Sequence, residues 1–457
     1  MGSDFEDWEA DLASRVERGL KYGKSLGVDS SELYITNSYS LNTKIKGDMI
    51  DGNQGGNIGV ACRCVTNKKV GFSSASGIEN SAVNFAIESA FNISKVLPNK
   101  DDRWQQFVNN KKKGKDGKIE SSVFEIESDK LIKDASKIFQ EAKNFDNRIN
   151  SIEGMISTGY GAFALGNTEG ITKTSKRTFG SAEIYIVAKE NDKTKTVGKS
   201  IIGRGVPELS GVGESAAKDA VKLLKAKPLK RTEKLPVLFD NETCGSLINV
   251  ALMNSVNGQS VVEKRTKFAD KIGESVGVSS LTIIDDGQLP SDPSRVAIDD
   301  EGFPRKSTNI IENGILKNFI FNNYYSNIYD SENTGNATRR GPQTYESIPM
   351  VSLNTLSVPP SNKDLQQIIS ELDDAILAKD MLLGMFHSDT ISGDFSIVAP
   401  NCYLIKDGEI ETPLESISIA GNLYEVFNQI IALGNETEIT KFGKVPSMAF
   451  KDLSISG

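Results

Sequence analysis

The sequence predicts an α+β chain of several domains, with mixed and antiparallel sheets flanked by helices. Three observations carry that reading. At 457 residues the chain is too long for one ordinary core. Stretches with apolar residues every three or four positions alternate with stretches whose apolar residues fall at every second position. Glycine-marked turns separate consecutive strand-like runs, as hairpins require, instead of strictly alternating strand and helix. No repeat of 20–50 residues is present.

The elements follow in order. Phe5, Trp8, Leu12, Val16 and Leu20 mark an amphipathic helix over 5–27, closed by Gly27. "SELYITNSYSLNTKIKGDMIDG" alternates as a half-buried strand does. "GNIGVACRCVTNKKVGFSSAS" gives two more strands with a turn at Asn67-Lys68, and "ENSAVNFAIESAFNISKVL" is helical. An N-terminal α+β domain therefore spans 1–98. Residues 99–120 are charged and read as a linker, solvated through "NNKKKGKDGK". A central α+β domain spans 121–232. It has a helix through "KLIKDASKIFQEAKNF", strands over 149–190 and a helix through "GESAAKDAVKLLKAK" stopped by Pro228; "GYGAFALG" and the "GRG" of 203–205 read as turns. A strand-rich C-terminal domain spans 233–457. It carries the stretch "LINVALMNSVNGQSVV" (247–262), the strand "SLTIIDDG" and a helix through "NKDLQQIISELDDAIL".

Composition excludes several functions. Apolar residues make up 38% and charged residues 25%, and no apolar run reaches the roughly 18–20 residues a membrane span needs. The acidic helical start is no signal peptide. Four cysteines are too few for a disulfide framework and fit a reducing cytoplasm. A net charge of −8 argues against a nucleic-acid partner.

His387 is the only histidine, which removes H-E-x-x-H zinc hydrolysis within this chain. "GESVG" (273–277) matches the nucleophile elbow G-x-S-x-G, with Ser275 as nucleophile and His387 as base. It lacks the strand before and the helix after that an elbow needs, so a turn is expected. Cys62 and Cys64 point to one face of a strand and read as a core pair. "IDDEG" (298–302) clusters three carboxylates, without a calcium-loop pattern, and reads as a polar turn. "TGNATRRG" from Thr334 and "HSDTISGDFS" from His387 could present amides and hydroxyls to a ligand, or could be ordinary turns.

Taken in order, "LGNTEGI", "PVLFDNETCGSLI", "LTIIDDG", "DDEGFPRKSTNIIENGIL", "TGNA", "SGDFS" and "YLIKDGEIETPLESISIAGNLYEV" resemble the TldD/PmbA family of peptide-maturation metalloproteases, also called modulators of DNA gyrase. The resemblance extends to nearly the whole chain. It implies a zinc-bearing type with H-E-x-x-x-H and a distant cysteine, and a PmbA/TldE type without them. In this sequence the motif falls on Asn249, Val250 and Asn254, and "FGKVPSMAF" has no cysteine.

The resemblance therefore implies a non-catalytic subunit: no catalytic residue and no metal or cofactor of its own, with zinc in a TldD-like partner. Together they would form a heterodimer cleaving unfolded peptides held as an added strand. A homodimer in isolation stays open, as does a regulatory role on gyrase or another partner without proteolysis. Cleft-wall candidates are Thr334, Gly335 and Asn336, with Ser392, Gly393 and Asp394.

Overall fold

The computed structural model describes residues 2–457. It opens with α1 (Gly2–Ser25), whose Phe5, Leu12 and Val16 are buried, and Gly27 closes it at φ +83°. Next come β1 (Ser30–Lys46), β2 (Met49–Gly55), β3 (Gly59–Thr66), β4 (Lys69–Ser76) and α2 (Asn80–Val96). Asn67 and Lys68 both take positive φ in the two-residue turn joining β3 to β4, the geometry a tight hairpin demands. After residue 120 follow the single turn α3 (Ser122–Glu125), α4 (Ser128–Phe145), β5 (Ile149–Asn167), β6 (Thr172–Glu190), β7 (Lys193–Gly203) and α5 (Val212–Leu223).

These strands form one seven-stranded antiparallel sheet in the order β4-β3-β1-β5-β6-β7, with β2 on the far half of β1. The central pairing, β1 with β5, runs from Glu32–Asn167 to Lys46–Glu153. The segments on either side of 99–120 thus share one sheet. Strand alternation puts Leu33, Ile35, Leu41 and Ile45 on one face. There α1 and α2 cover the first half of β1, and α4 and α5 cover the second.

The reading of "GYGAFALG" as turns is corrected: it lies inside β5. A Cβ at Gly159 would sit 2.1 Å from the Tyr39 carbonyl oxygen, so the glycine marks close approach of two strands. Residues 99–120 are also more than a solvated linker. Phe107 and Val108 are buried, Trp104 stacks edge-on against Phe107, and Asp116 accepts the Ala297 N–H at 2.8 Å. The lysine-rich part stays largely exposed, but the segment is strapped to both neighbours.

The C-terminal region begins with β8 (Thr232–Phe239), α6 (Asn241–Ser255) and the short α7 (Gly258–Val262). Its twelve-stranded mixed sheet is organised around the strand Gly443–Ser456. That strand pairs with β8, Ile417–Asn422, Ile430–Thr440 and Leu356–Ser357. The helix expected through "NKDLQQIISELDDAIL" is corrected: only Leu365–Ser370 is helical, and Asp374–Ala378 is a strand between β8 and Cys402–Lys406. Its apolar run is buried on both faces, a pattern that periodicity cannot tell from a buried helix. Leu238, Leu377 and Ala449 join the core under α4 and α5, so the two sheets share apolar packing. Among the described residues no helix is long and apolar enough to cross a membrane.

Candidate functional site

The stretch Leu247–Val262 is the second half of α6 running into α7. Asp240 caps α6 by accepting the Thr243 N–H at 3.0 Å, and Asn257 caps α7 through the Gln259 N–H at 2.9 Å. Helix α6 is buried on most of its circumference: Cys244, Leu247, Ile248, Val250, Ala251 and Leu252 all sit in the core. Only Asn249, Met253 and Asn254 break that burial in the second half, and with Asn257 they floor a groove of about 450 Å³. The facing wall is Met350–Leu353 with Arg340, and Arg265 closes one end.

Asn249 and Asn254 therefore share the groove. Val250 does not: it is 2% exposed and packed inward. The Asn254 amide nitrogen donates to Thr390 Oγ1, and its oxygen accepts from Ser260 Oγ at 3.4 Å. The groove is thereby tied to the loop after His387. That loop is held by the Tyr424 hydroxyl donating to the Thr390 carbonyl at 2.9 Å and by Lys267 Nζ on the Ser392 carbonyl at 2.7 Å. Two backbone N–H groups, of Ser392 and then Ile391, hold the exposed Asp389 carboxyl below its ordinary pKa. Ser392 Oγ and Asn422 Nδ2 both bond Asp394, and Gly393 packs under Tyr424 at φ +87°. Ser392, Gly393 and Asp394 thus belong to the loop that carries the Thr390 contact, and none of them is among the residues lining the groove.

Thr334, Gly335 and Asn336 occupy a different place: all three are buried. Thr334 exchanges two hydrogen bonds with the Phe321 backbone. Asn336 Nδ2 bridges Asp285 Oδ2 at 2.6 Å and the Ser352 carbonyl at 2.8 Å. Burial pushes the Asp285 carboxyl up to about 6, against the pull of its Asn336 and Asn354 bonds. This loop sits behind the groove and holds the wall in register. Ala337–Thr338 pairs with Met350–Val351, which has that one strand neighbour among the described residues. The groove residues that sequence reasoning missed are Arg265, Arg340 and Met350–Leu353. "TRRG" held a signal in its arginines; Met350–Leu353 held none, because only tertiary pairing brings it to α6.

The remaining motifs fall elsewhere. Ser275 is exposed in a turn and donates to the Gly277 carbonyl at 3.3 Å; no hydrogen bond joins it to His387 among the described residues. Cys62 and Cys64 are buried with sulfurs 3.5 Å apart, inside the core under α1 and α2. "IDDEG" is a turn, but a buried one. Arg63 bonds Glu32 through both carboxylate oxygens (2.8 and 2.9 Å) and Glu301 at 3.0 Å, joining β1 and β3 to the C-terminal region. Asp299 accepts the N–H groups of Glu301, Phe303 and Ala337, and its burial, with Glu301 beside it, pushes its pKa up to about 8.

Comparison with known proteins matches this architecture. Residues 232–457 fit the model of the PmbA/TldA metallopeptidase C-terminal domain, and residues 122–224 fit that of its central domain. The chain belongs to the PmbA/TldD family. It is 26% identical to a metalloprotease of Methanocaldococcus jannaschii, covering 93% of each chain. It is also 26% identical to metalloprotease PmbA of Escherichia coli O157:H7, covering 73% of this chain and 71% of that one. The crystal structure of TldE from Thermococcus kodakarensis superposes with a TM-score of 0.87 at 22% identity, covering 97% of this chain and 100% of that one, a likeness of fold.

Zinc is the metal the family resemblance implies, and the residues at its motif do not suit it. Where the resemblance sets imidazoles stand two neutral amides, one already committed to Thr390 and Ser260, and where it sets the general base stands a packed valine that can neither take nor give a proton. Among the described residues no three His, Cys, Asp or Glu side chains are grouped to hold a metal ion.

Proposed function

We propose that this chain is a non-catalytic, PmbA/TldE-like subunit of a heterodimeric zinc metallopeptidase acting on unfolded peptides in the cytoplasm. The observation that supports the reading is that Asn249 and Asn254, which the resemblance sets at the ligand positions, line one groove, while Val250, set at the base position, is turned into the core. A zinc site and its general base would come from a partner bearing H-E-x-x-x-H. This chain would shape and line the peptide cleft. Met350–Val351 favours that role, because a strand with one strand neighbour can accept an extended peptide on its other side, where the Val351 carbonyl now accepts from the Asn257 side chain at 3.1 Å. Arg265 and Arg340 would meet peptide carboxylates there.

The test is metal analysis and peptidase assay of the purified chain, alone and mixed with a family member carrying H-E-x-x-x-H. The expected outcome is less than stoichiometric zinc and no turnover alone, with chelator-sensitive turnover in the mixture. Chelator-sensitive cleavage by the isolated chain overturns the proposal.

A further inference from the structure

A second, smaller cavity of about 160 Å³ lies between the long sheet and the C-terminal region. It is lined by Tyr34 of β1, by Asn57 between β2 and β3, by Arg177 of β6, and by Asp300, Arg305 and Arg339. Its charge is unbalanced. Asp300 is the one carboxylate on the wall, and its Oδ2 already accepts the Arg339 backbone N–H at 2.6 Å. Lys176, also on the wall, turns to Glu9 at 3.2 Å. Three guanidinium groups remain.

Their hydrogen bonds are incomplete. Arg339 is 4% exposed; it gives one nitrogen to the Ser347 carbonyl and sets another 3.5 Å from Glu32, yet its Nε is buried without an acceptor. The Nε of Arg305 is buried and unpaired in the same way. Arg305 helps to stabilise the Asp285 carboxylate through space but forms no ion pair with it among the described residues. Asn57 donates to Thr344 Oγ1 at 2.8 Å, while its own Oδ1 is a buried acceptor with no donor. Buried polar groups left this way are uncommon in a folded chain. Those three atoms are shielded from water, but among the described residues no acceptor pairs with the side chains of Arg177 and Arg305 on the cavity wall, so their outer guanidinium nitrogens are left for a guest.

We infer that this cavity binds a small oxyanion, a phosphate or carboxylate group, between Arg305 and Arg339. The guanidinium fork matches the spacing of oxyanion oxygens and gives charge-assisted hydrogen bonds. The space is well below the roughly 300–1,000 Å³ of sites for drug-sized ligands, so the guest is a free anion or the end group of a larger molecule. The inference stands on its own and holds whether or not the chain is catalytic.

The experiment titrates the whole chain with inorganic phosphate and, separately, acetate, against chloride at matched ionic strength, by calorimetry and thermal shift. One of the two binds saturably at one per chain, and Arg305→Gln weakens it by about tenfold or more, the value of one charge-assisted hydrogen bond. Arg305→Lys restores part of the affinity. Tighter phosphate assigns the site to a phosphate group, and tighter acetate to a carboxylate. Circular dichroism checks the fold of the variant; if Arg305→Gln does not fold, Arg177→Gln, at an exposed position, takes the same readout. Responses equal to chloride, or undiminished binding by the folded variant, overturn the inference.

Discussion

Val250→Glu tests the geometry proposed for the degenerate motif most directly, because it puts a glutamate where the family resemblance sets the general base. Val250 is 2% exposed and belongs to the largest core cluster, beside Leu247 and Ala251 on α6. A carboxyl placed there must shed its water. Full burial raises a carboxyl pKa by up to about 3–5 units, enough to keep it protonated at pH 7, and taking up that proton from an unfolded pKa of about 4.3 costs about 4 kcal/mol. The lost valine packing adds about 1 kcal/mol or more. The sum, about 5 kcal/mol, competes with the whole stability of an ordinary domain, about 5–15 kcal/mol. Asn249→His/Asn254→His, at groove-lining positions, is expected to keep most of its stability. Urea unfolding followed by tryptophan fluorescence measures both at neutral pH. Near-wild-type stability for Val250→Glu means that position 250 opens onto the groove, and the account of an inward-facing frame fails.

Three further expectations follow from buried charge and close packing. Arg63→Met strands Glu32 and Glu301 in the core (both at or below 2% exposure) and is expected to cost about 3–5 kcal/mol, with Arg63→Met/Glu32→Met costing less than the single change; equal costs refute the ion-pair argument. Glu242 lines a separate pocket with Glu183, Asp240 and Lys441, and burial raises its pKa from 4.5 to about 7 against the attraction of Lys441 at 3.7 Å. Its folded pKa lies above the unfolded one, so its contribution is fully present below pH 4.5 and is lost as pH rises through about 7. Glu242→Gln should remove roughly 2–3 kcal/mol of that fall between pH 5 and 8, read from thermal melts across the range; parallel pH profiles for the two proteins refute it. Gly159→Ala forces a methyl to within 2.1 Å of the Tyr39 carbonyl and should destabilise by about 1–3 kcal/mol in the same melts, whereas Gly170→Ala, with open space around it, is strained only by its φ of +85°.

What could be read from the chain, and what could not, divides along physical lines. Helices α1, α2, α4 and α5 were legible because each buries one stripe and leaves the other wet, so periodicity reports them. Asp374–Ala378 was not, because a strand buried on both faces has no alternation to read. "GYGAFALG" looked like turns because glycine usually marks them; here it permits two long strands to meet, a fact of tertiary approach. "IDDEG" looked solvated because carboxylates usually are, and nothing local to it announces that Arg63, 238 residues away, supplies the countercharge. At the site, the amides of α6 stood out as polar letters in an apolar run, and the structure sets two of the three motif positions in one groove. The opposite wall came from segments near residues 340 and 350, joined to α6 only by folding.

The pairing of β8 with Gly443–Ser456 sets Leu238 against Ala449. A strand that must wait for a neighbour so distant along the chain closes a costly loop before any ladder bond rewards it, and such topologies fold slowly. During synthesis β8 and the greasy helix behind it are made long before that neighbour emerges from the ribosome. For that interval they are a hazard for clumping, and the nascent protein is a natural client for a chaperone that shields sticky segments.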